Sequence, residues 1–265
     1  MSTFGHRRDP SSSRAAILLA VPNQIEAVRP VFSSAVVLTE SGGASNGLRW
    51  FELLLLLLVS FGGTFLNSFS ILLSGQRGSM SSQNLRWDVQ IVHEITCLLL
   101  LGYILGRRKL RFNALGLRWS IRDIGEGIAV TVASYLVYWA GDLIVYMAGR
   151  AMHISDHGGL TAQQAFGRLS LIAVPAFLLN PFFEELIVRA YLMTEVRDLT
   201  GSPMLALVLS AVVQTSYHLY YGWARALGLS FQFLAFSVYY AWRRRATPII
   251  VAHEVSDIYG LIQLW

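Results

Sequence analysis

The chain has 265 residues, of which 54% are hydrophobic and only 14% carry a charged side chain. Typical soluble domains contain about 25% charged residues, so the composition excludes an ordinary soluble protein, and the high hydrophobicity excludes extensive disorder. The one cysteine, Cys97, excludes an intrachain disulfide and a cysteine-rich metal site. We therefore expect an all-α, polytopic transmembrane helical bundle.

The first 48 residues form a segment rich in Ser and Arg. We interpret residues 1–48 as a flexible, polar, cytoplasmic tail. Its short apolar run, Ala15–Val21, is not followed by a small-residue cleavage site, which argues against a signal peptide. Residues 49–265 are predicted to form the transmembrane domain.

About seven membrane spans are predicted in that domain. A helix needs about 20 mostly apolar residues to cross ~30 Å of hydrocarbon. Seven apolar runs reach or approach this length: Leu53–Leu73, Val89–Leu105, Gly127–Met147, Leu169–Met193, Pro203–Tyr221, Leu227–Trp242 and Pro248–Trp265.

The distribution of basic residues predicts the orientation of the bundle. With the N-terminus in the cytoplasm, fifteen Arg and Lys residues fall on the inner side and five on the outer side. This asymmetry agrees with the positive-inside rule. The basic loop Arg107–Arg122 is therefore interpreted as a topology signal on anionic lipid, and no nucleic-acid partner is expected.

Ionisable side chains inside the predicted spans are candidate functional groups, because each costs about 2.5–3.5 kcal/mol at membrane depth. Asp142 is predicted near the outer interface, as a solvated end residue. His93 and Glu94 are predicted to lie roughly 9 Å inside the outer end of their span, and we interpret them as residues that pair with Arg86 or line a cavity. Neither group alone predicts a catalytic site.

Three ionisable residues on different spans converge on one depth. At a rise of 1.5 Å per residue, Glu184, His218 and His253 all fall within about 7 Å of the membrane midplane. A buried polar network that specifies helix packing would explain one such group. Three groups at the same depth favour a site.

On the fourth predicted span, the spacing of the ionisable residues predicts different roles for neighbouring side chains. Glu185 and Arg189 are four residues apart, so they share a helix face and can form an ion pair. This pair leaves Glu184 available as a general base. Asn180-Pro181 is predicted to break the helix and open a cavity beside Glu184, because proline removes a backbone donor.

The seventh span carries a second pair with the same spacing. His253 and Asp257 lie on one helix face. The carboxylate can orient the imidazole, or both groups can stabilise an oxyanion.

These patterns resemble the CPBP (Abi) family of intramembrane endopeptidases, which includes type II CAAX prenyl proteases and bacteriocin-processing proteins. The family signatures are Glu-Glu-x-x-x-Arg, Phe-x-x-x-His and His-x-x-x-Asn or Asp. The first is complete at Glu184, Glu185 and Arg189, and the third is present at His253 and Asp257. In the second, His218 is present, but Gln214 replaces a phenylalanine that we interpret as a packing residue.

The resemblance implies hydrolysis of a peptide bond inside the membrane, with residues 168–265 as the catalytic core. It implies that Glu184 and His218 activate a water and that His253 and Asp257 stabilise the oxyanion. Glu185, Arg189 and Asn180 are the expected supporting residues. The expected substrate is a membrane-associated peptide or protein in the lipid bilayer, and the excess of Arg over Lys favours a bacterial cell membrane.

Two alternatives remain open from the sequence. No cofactor is expected, but Glu184, His218 and His253 also make a plausible set of zinc ligands, so a zinc-dependent intramembrane protease is one alternative. The other is a non-enzymatic membrane protein with an immunity or transport role.

Overall fold

Seven helical rods make up the part of the chain that the structure describes. The computed structural model describes residues 1, 44–74, 87–153, 160–161 and 171–264. We call Glu184-Glu185-x-x-x-Arg189 the acidic motif. Three helices precede it, α1 (Asn46–Ser74), α2 (Trp87–Arg107) and α3 (Ile121–Ala151), and α4 (Ala173–Glu184) carries its first residue. The fourth rod continues through a π-helix, Glu185–Tyr191, into α5, Leu192–Thr200. The last three rods are α6 (Pro203–Tyr217), α7 (Trp223–Arg243) and α8 (Ala246–Leu264).

The all-α prediction is confirmed, since the described residues contain no strand. Each predicted span overlaps one rod, with differences at the ends. Helix α1 begins at Asn46, inside the segment that we predicted to be a tail. The fifth predicted span ends early, because α6 stops at Tyr217 and a short 3-10 turn, Leu219–Tyr221, follows. Residues 2–43 of the predicted tail lie outside the described residues.

Three of the described helices, α1 to α3, are long and apolar enough to cross a membrane, and α6 is apolar but shorter. Large apolar side chains on α1 are exposed, among them Leu54, Leu58 and Leu66. Exposed apolar side chains of this kind suit a lipid-facing surface. The count of seven spans and the cytoplasmic N-terminus stay predictions.

A close backbone contact fixes the start of α8. Gly116 has a φ of 83°, and a Cβ at this position would lie 2.3 Å from the carbonyl oxygen of Arg244. Its own carbonyl accepts a hydrogen bond of 3.0 Å from the amide of Ala246, the first residue of α8. Only glycine combines this backbone conformation with this approach. The contact holds the first turn of the helix that carries His253.

Helix α3 packs against both α7 and α8. At Gly141 the helices approach so closely that a Cβ would lie 2.1 Å from the ring of Phe231. Small residues allow such approaches between membrane helices. The packing sets α3, α7 and α8 around a shared space, described below.

A buried ion-pair network joins three rods at the end where α1 begins and α2 ends. We call it the Arg108 network. Arg108 donates to Glu195 at 2.7 Å and to Glu52 at 2.5 Å, and Arg49 donates to the other oxygen of Glu195 at 2.9 Å. Arg107 adds a second cation to Glu52 at 2.9 Å. The network ties α1 and α2 to α5, and thereby supports the rod that carries the acidic motif.

Candidate active site

The helix that carries the acidic motif does not break at Pro181, and it widens into a π-helix after Glu184. Helix α4 runs through Pro181 to Glu184 and continues as the π-helix Glu185–Tyr191. The predicted break at Asn180-Pro181 was therefore wrong. Residues 183–196 are all buried, so the surrounding helices keep the rod continuous although proline removes one backbone donor. Widened π turns often occur at functional sites.

Glu185 links the acidic motif to the last helix. Its Oε1 accepts a hydrogen bond from Arg189 at 3.0 Å, as the spacing predicted. The same oxygen lies 2.7 Å from Nδ1 of His253 on α8. The side chains of Glu185 and Arg189 are both fully buried. Glu185 therefore fixes an arginine on its own helix and an imidazole on another.

Gln214 links Arg189 and Glu184 of the acidic motif through hydrogen bonds. A guanidinium can only donate, so the amide oxygen of Gln214 accepts from Arg189, at 2.6 Å. Its amide nitrogen then donates to Oε2 of Glu184. Gln214 is fully buried. We interpreted this position as a lost packing residue, whereas the structure shows a hydrogen-bonded bridge that holds Glu184.

His218 caps the end of α6. Its Nδ1 lies 2.8 Å from the backbone carbonyl oxygen of Gln214, one helical turn earlier. A carbonyl only accepts, so Nδ1 carries the proton, and in the neutral ring Nε2 has a free lone pair. The ring packs against Phe233, with centroids 4.8 Å apart. These contacts fix both the tautomer and the orientation of the imidazole.

His253 lies between two carboxylates. Glu185 contacts Nδ1, and Oδ1 of Asp257 lies 3.6 Å from Nε2. The side chain of Asn180 on α4 lies beside Asp257 and lines the same cavity. Glu185 therefore orients the His253 ring more closely than Asp257 does, although the sequence indicated only the second contact.

One cavity collects the predicted catalytic residues. It has a volume of about 490 Å³ and is lined by Glu184, His218, His253 and Asp257, together with Asn180. Because Glu94 also lines it, the cavity has three carboxyl groups in its wall, and we call it the acidic cavity. Glu184 is close enough to His218 and His253 for their charges to interact. The structure thus brings together the residues that the sequence placed at one depth.

A second cavity meets the first at the two histidines. It has a volume of about 810 Å³, and His218, His253 and Asp257 line both spaces. Most of the remaining wall comes from aromatic and aliphatic side chains of α3, α7 and α8: Val132, Tyr135, Leu136, Tyr138, Trp139, Leu229, Phe233, Phe236 and Tyr259. We call it the aromatic cavity. It is the shared space that the packing of α3 creates.

Residues of the first two helices complete the acidic cavity. His93 and Glu94 on α2 line it, so the interpretation of this pair as cavity-lining is the one that the structure supports. Asp142 is exposed, and its position near the outer interface stays a prediction. The sequence did not indicate Tyr217, whose hydroxyl is buried beside Glu184 without a regular hydrogen bond. A tyrosine next to a motif histidine gives no signal by spacing alone.

The structure also bears on the zinc alternative. Within the described ranges, no three His, Cys, Asp or Glu side chains are grouped as the ligands of a metal ion would be. The side chains of Glu184, His218 and His253 share a cavity but do not form a ligand set in this arrangement.

The comparison with known families agrees with these motifs. Residues 166–259 match the family model described as Type II CAAX prenyl endopeptidase Rce1-like. The resemblance to the CPBP family is confirmed over this segment. It contains all three motifs and the helices that carry them, whereas α1 to α3 lie outside it. The match supports an integral membrane protease of the CAAX type. No curated protein and no solved structure matches the chain.

Proposed function

We propose that the protein is an intramembrane endopeptidase that hydrolyses a peptide bond with a water activated by Glu184 and His218. The observation that carries this proposal is the acidic cavity, where both residues face one space together with His253 and Asp257. The four residues come from three different rods. Helix packing alone does not require such convergence around an open volume.

Glu184 and His218 are suited to hold the attacking water. Gln214 occupies one oxygen of Glu184, which leaves Oε1 to accept a proton. The Nδ1 contact of His218 leaves Nε2 as a second acceptor. A water between them would lose one proton to Glu184 as its oxygen attacks the carbonyl carbon of the substrate.

His253 and Asp257 are suited to stabilise the oxyanion that this attack creates. Glu185 accepts a hydrogen bond from Nδ1 of His253 at 2.7 Å, and Asp257 lies 3.6 Å from Nε2 without accepting one. Two nearby carboxylates favour the doubly protonated ring, which donates to Glu185 and presents its Nε2 proton to the oxyanion. When the C–N bond breaks, the leaving nitrogen takes the proton from Glu184. The oxygen of the water is then part of the new carboxylate, and the proton that Glu184 took from the water is on the new amine.

The aromatic cavity is the proposed binding site for an apolar part of the substrate. Its wall is continuous with His218 and His253, so a group bound there would lie beside the scissile bond. The family description names prenyl endopeptidases, and an isoprenoid chain suits a wall of aromatic rings. We propose a membrane-associated peptide or protein with a lipid-modified or strongly apolar segment.

Comparative peptidomics of membranes tests the proposal and identifies the substrate. Cells with the wild-type protein are expected to contain peptide termini that disappear in Glu184→Ala and His218→Ala cells. Glu254→Gln is the matched control, because Glu254 lies next to His253 but lines neither cavity. Identical termini in wild-type and Glu184→Ala cells, at equal protein levels, would contradict the proteolytic function and favour a binding role.

A further inference from the structure

The acidic cavity has an unusual balance of charges. Three carboxyl groups line it, from Glu94, Glu184 and Asp257, and among the described residues no Lys or Arg side chain does. Gln214 donates to Glu184 and Gln90 donates to Glu94, while the side chain of Asn180 lies beside Asp257. Glu94 differs from the other two because, of the carboxyl groups among the described residues that line the cavity, only its own has an oxygen that is both buried and without a hydrogen-bond partner.

Glu94 lies on α2 and is 1% exposed. Its Oε1 accepts a hydrogen bond of 2.8 Å from Gln90, one turn earlier on the same helix. Its Oε2 is buried and has no hydrogen-bond partner within the described part of the chain. A buried carboxylate oxygen without a donor is destabilising, more so than a neutral group. Because Glu94 lines the acidic cavity, a ligand bound in that cavity is the candidate donor for this oxygen.

The neighbouring imidazole does not supply the missing donor. His93 points its Nε2 to the backbone carbonyl oxygen of Ser60, at 3.1 Å, so this nitrogen donates to α1. Glu94 is, however, close enough to Glu184 and Asp257 for their charges to interact. The wall has three carboxyl groups against one doubly protonated imidazole, that of His253, and among the described residues it has no Lys or Arg. It therefore favours a cationic donor over a neutral one.

We propose that Glu94 binds a basic side chain of the substrate, a lysine ammonium or an arginine guanidinium, close to the scissile bond. This inference rests on the proposed peptidase function and defines its substrate specificity. The aromatic cavity differs in charge, because among the described residues its wall has one carboxyl group, that of Asp257, and one guanidinium, that of Arg225. A substrate with an apolar group on one side of the cut and a basic residue on the other would match both cavities.

Paired peptides test this preference. The probes are fluorescent farnesylcysteine peptides in which one position at a time is either lysine or norleucine, which has a similar chain without the ammonium group. At one position, the wild-type protein is expected to cleave the lysine peptide about ten- to a hundredfold more efficiently, which is the range for a hydrogen bond to a charged group. Glu94→Gln is expected to reduce this ratio to near one while it still cleaves the norleucine peptide.

Two controls separate the specificity of Glu94 from the catalytic function. Glu254→Gln should keep the wild-type ratio, since Glu254 lines neither cavity. Binding of the same peptides to the Glu184→Gln protein, followed by fluorescence anisotropy, reports the lysine preference without cleavage. Failure of cleavage with a preserved lysine preference in binding would refute the peptidase and leave the cation site intact.

The proposal on Glu94 fails under either of two results. One is a wild-type protein that treats lysine and norleucine peptides alike at every position, in cleavage and in binding. The other is a Glu94→Gln protein that loses activity on both peptides equally, since that result would assign Glu94 to catalysis or folding. The first result needs no variant, so a misfolded Glu94→Gln protein does not prevent the test.

Discussion

Two buried polar clusters in this molecule look alike in composition but differ in their surroundings. The Arg108 network consists of arginines and glutamates in direct contact, with Glu52 and Glu195 each bound by two arginines. The second cluster surrounds the acidic motif and has one arginine, Arg189, for the two acids Glu184 and Glu185. An amide and an imidazole complete its contacts.

The difference lies in what the charges face. None of the five members of the Arg108 network lines the acidic or the aromatic cavity. The second cluster borders both cavities through His253 and the acidic cavity through Glu184. Buried charge inside a helical bundle therefore does not by itself indicate chemistry. Charge that is incompletely paired and faces an open volume is the better indicator.

The largest expected effect is the loss of peptide cleavage in Glu184→Gln, and it tests the difference between the two clusters. Glu184→Gln removes the proposed base and keeps the size of the side chain, so the rate of peptide cleavage should fall by about 10²- to 10⁴-fold. The midpoint of thermal unfolding in detergent should stay the same or rise, because the substitution removes a buried charge. Purified protein and the substrate found by peptidomics provide both measurements.

Either of two other results for Glu184→Gln would contradict the proposed difference in function between the two clusters. If Glu184→Gln unfolds at a much lower temperature than the wild type, Glu184 serves the stability of the bundle as the Arg108 network does. If the variant stays folded and cleaves at the wild-type rate, Glu184 is not the base. Glu254→Gln controls for the loss of a carboxylate nearby.

For Arg108→Ala we expect the opposite effect, a loss of stability with little change in the rate of cleavage. Arg108→Ala leaves two buried carboxylates each with one cation fewer, and breaking a buried ion pair costs about 3–5 kcal/mol of folding free energy. Arg122→Ala is the matched control: Arg122 is 70% exposed and pairs with Glu126 at 2.8 Å, and an exposed pair contributes at most about 1 kcal/mol. Unfolding in detergent measures both variants.

Cleavage by the Arg108→Ala protein completes this test. The fraction that remains folded should cleave its substrate at close to the wild-type rate, because Arg108 lines neither cavity. A folded Arg108→Ala protein with a rate as low as that of Glu184→Gln would show that the network acts on the site and not only on stability.

Sequence reasoning predicted the rods and the motif residues for a physical reason. Apolar runs of membrane length give strong signals, and the ionisable residues within them are rare enough to compare by depth. The pair Glu185–Arg189 follows from helical spacing and is present at 3.0 Å. The convergence of Glu184, His218 and His253 on one cavity follows from their common depth.

The contacts between rods could not be predicted in the same way. The link from Glu185 to His253 and the bridge through Gln214 depend on how helices face one another, which no spacing within one helix reveals. The π-helix at Glu185–Tyr191 has no sequence pattern that distinguishes it from an α-helix. Pro181 even indicated a break where burial keeps the rod continuous.

An intermediate effect is expected at Gln214. Gln214→Met keeps the shape of the side chain but loses the hydrogen bonds to Glu184 and Arg189. Loss of a hydrogen bond to a charged group costs about 1.5–3 kcal/mol, so we expect kcat to fall by about ten- to a hundredfold. KM should change little, because Gln214 positions the base and lines neither cavity. Steady-state kinetics on the identified substrate measures the two constants separately.

Ser210→Ala is the matched control for Gln214. Ser210 is buried one turn earlier on α6 and shares a hydrogen bond of 3.1 Å with Ser237, so its loss affects packing without affecting Glu184. If Ser210→Ala and Gln214→Met lower kcat equally, the Gln214 effect is structural. A normal kcat for Gln214→Phe, the residue of the family signature, would likewise show that the bridge is dispensable.

The smallest expected effect is that of a metal chelator, and it addresses the zinc alternative. Substitutions cannot decide this question, since a zinc-dependent protease would use Glu184, His218 and His253 as ligands and would lose activity in the same variants. Exhaustive dialysis against EDTA should leave kcat/KM unchanged, because the described side chains are not grouped as metal ligands. Elemental analysis of the purified protein should find less than one zinc per chain. Activity that EDTA removes and zinc restores, with one bound zinc per chain, would show that a metal-bound water and not a water held by Glu184 and His218 attacks the peptide.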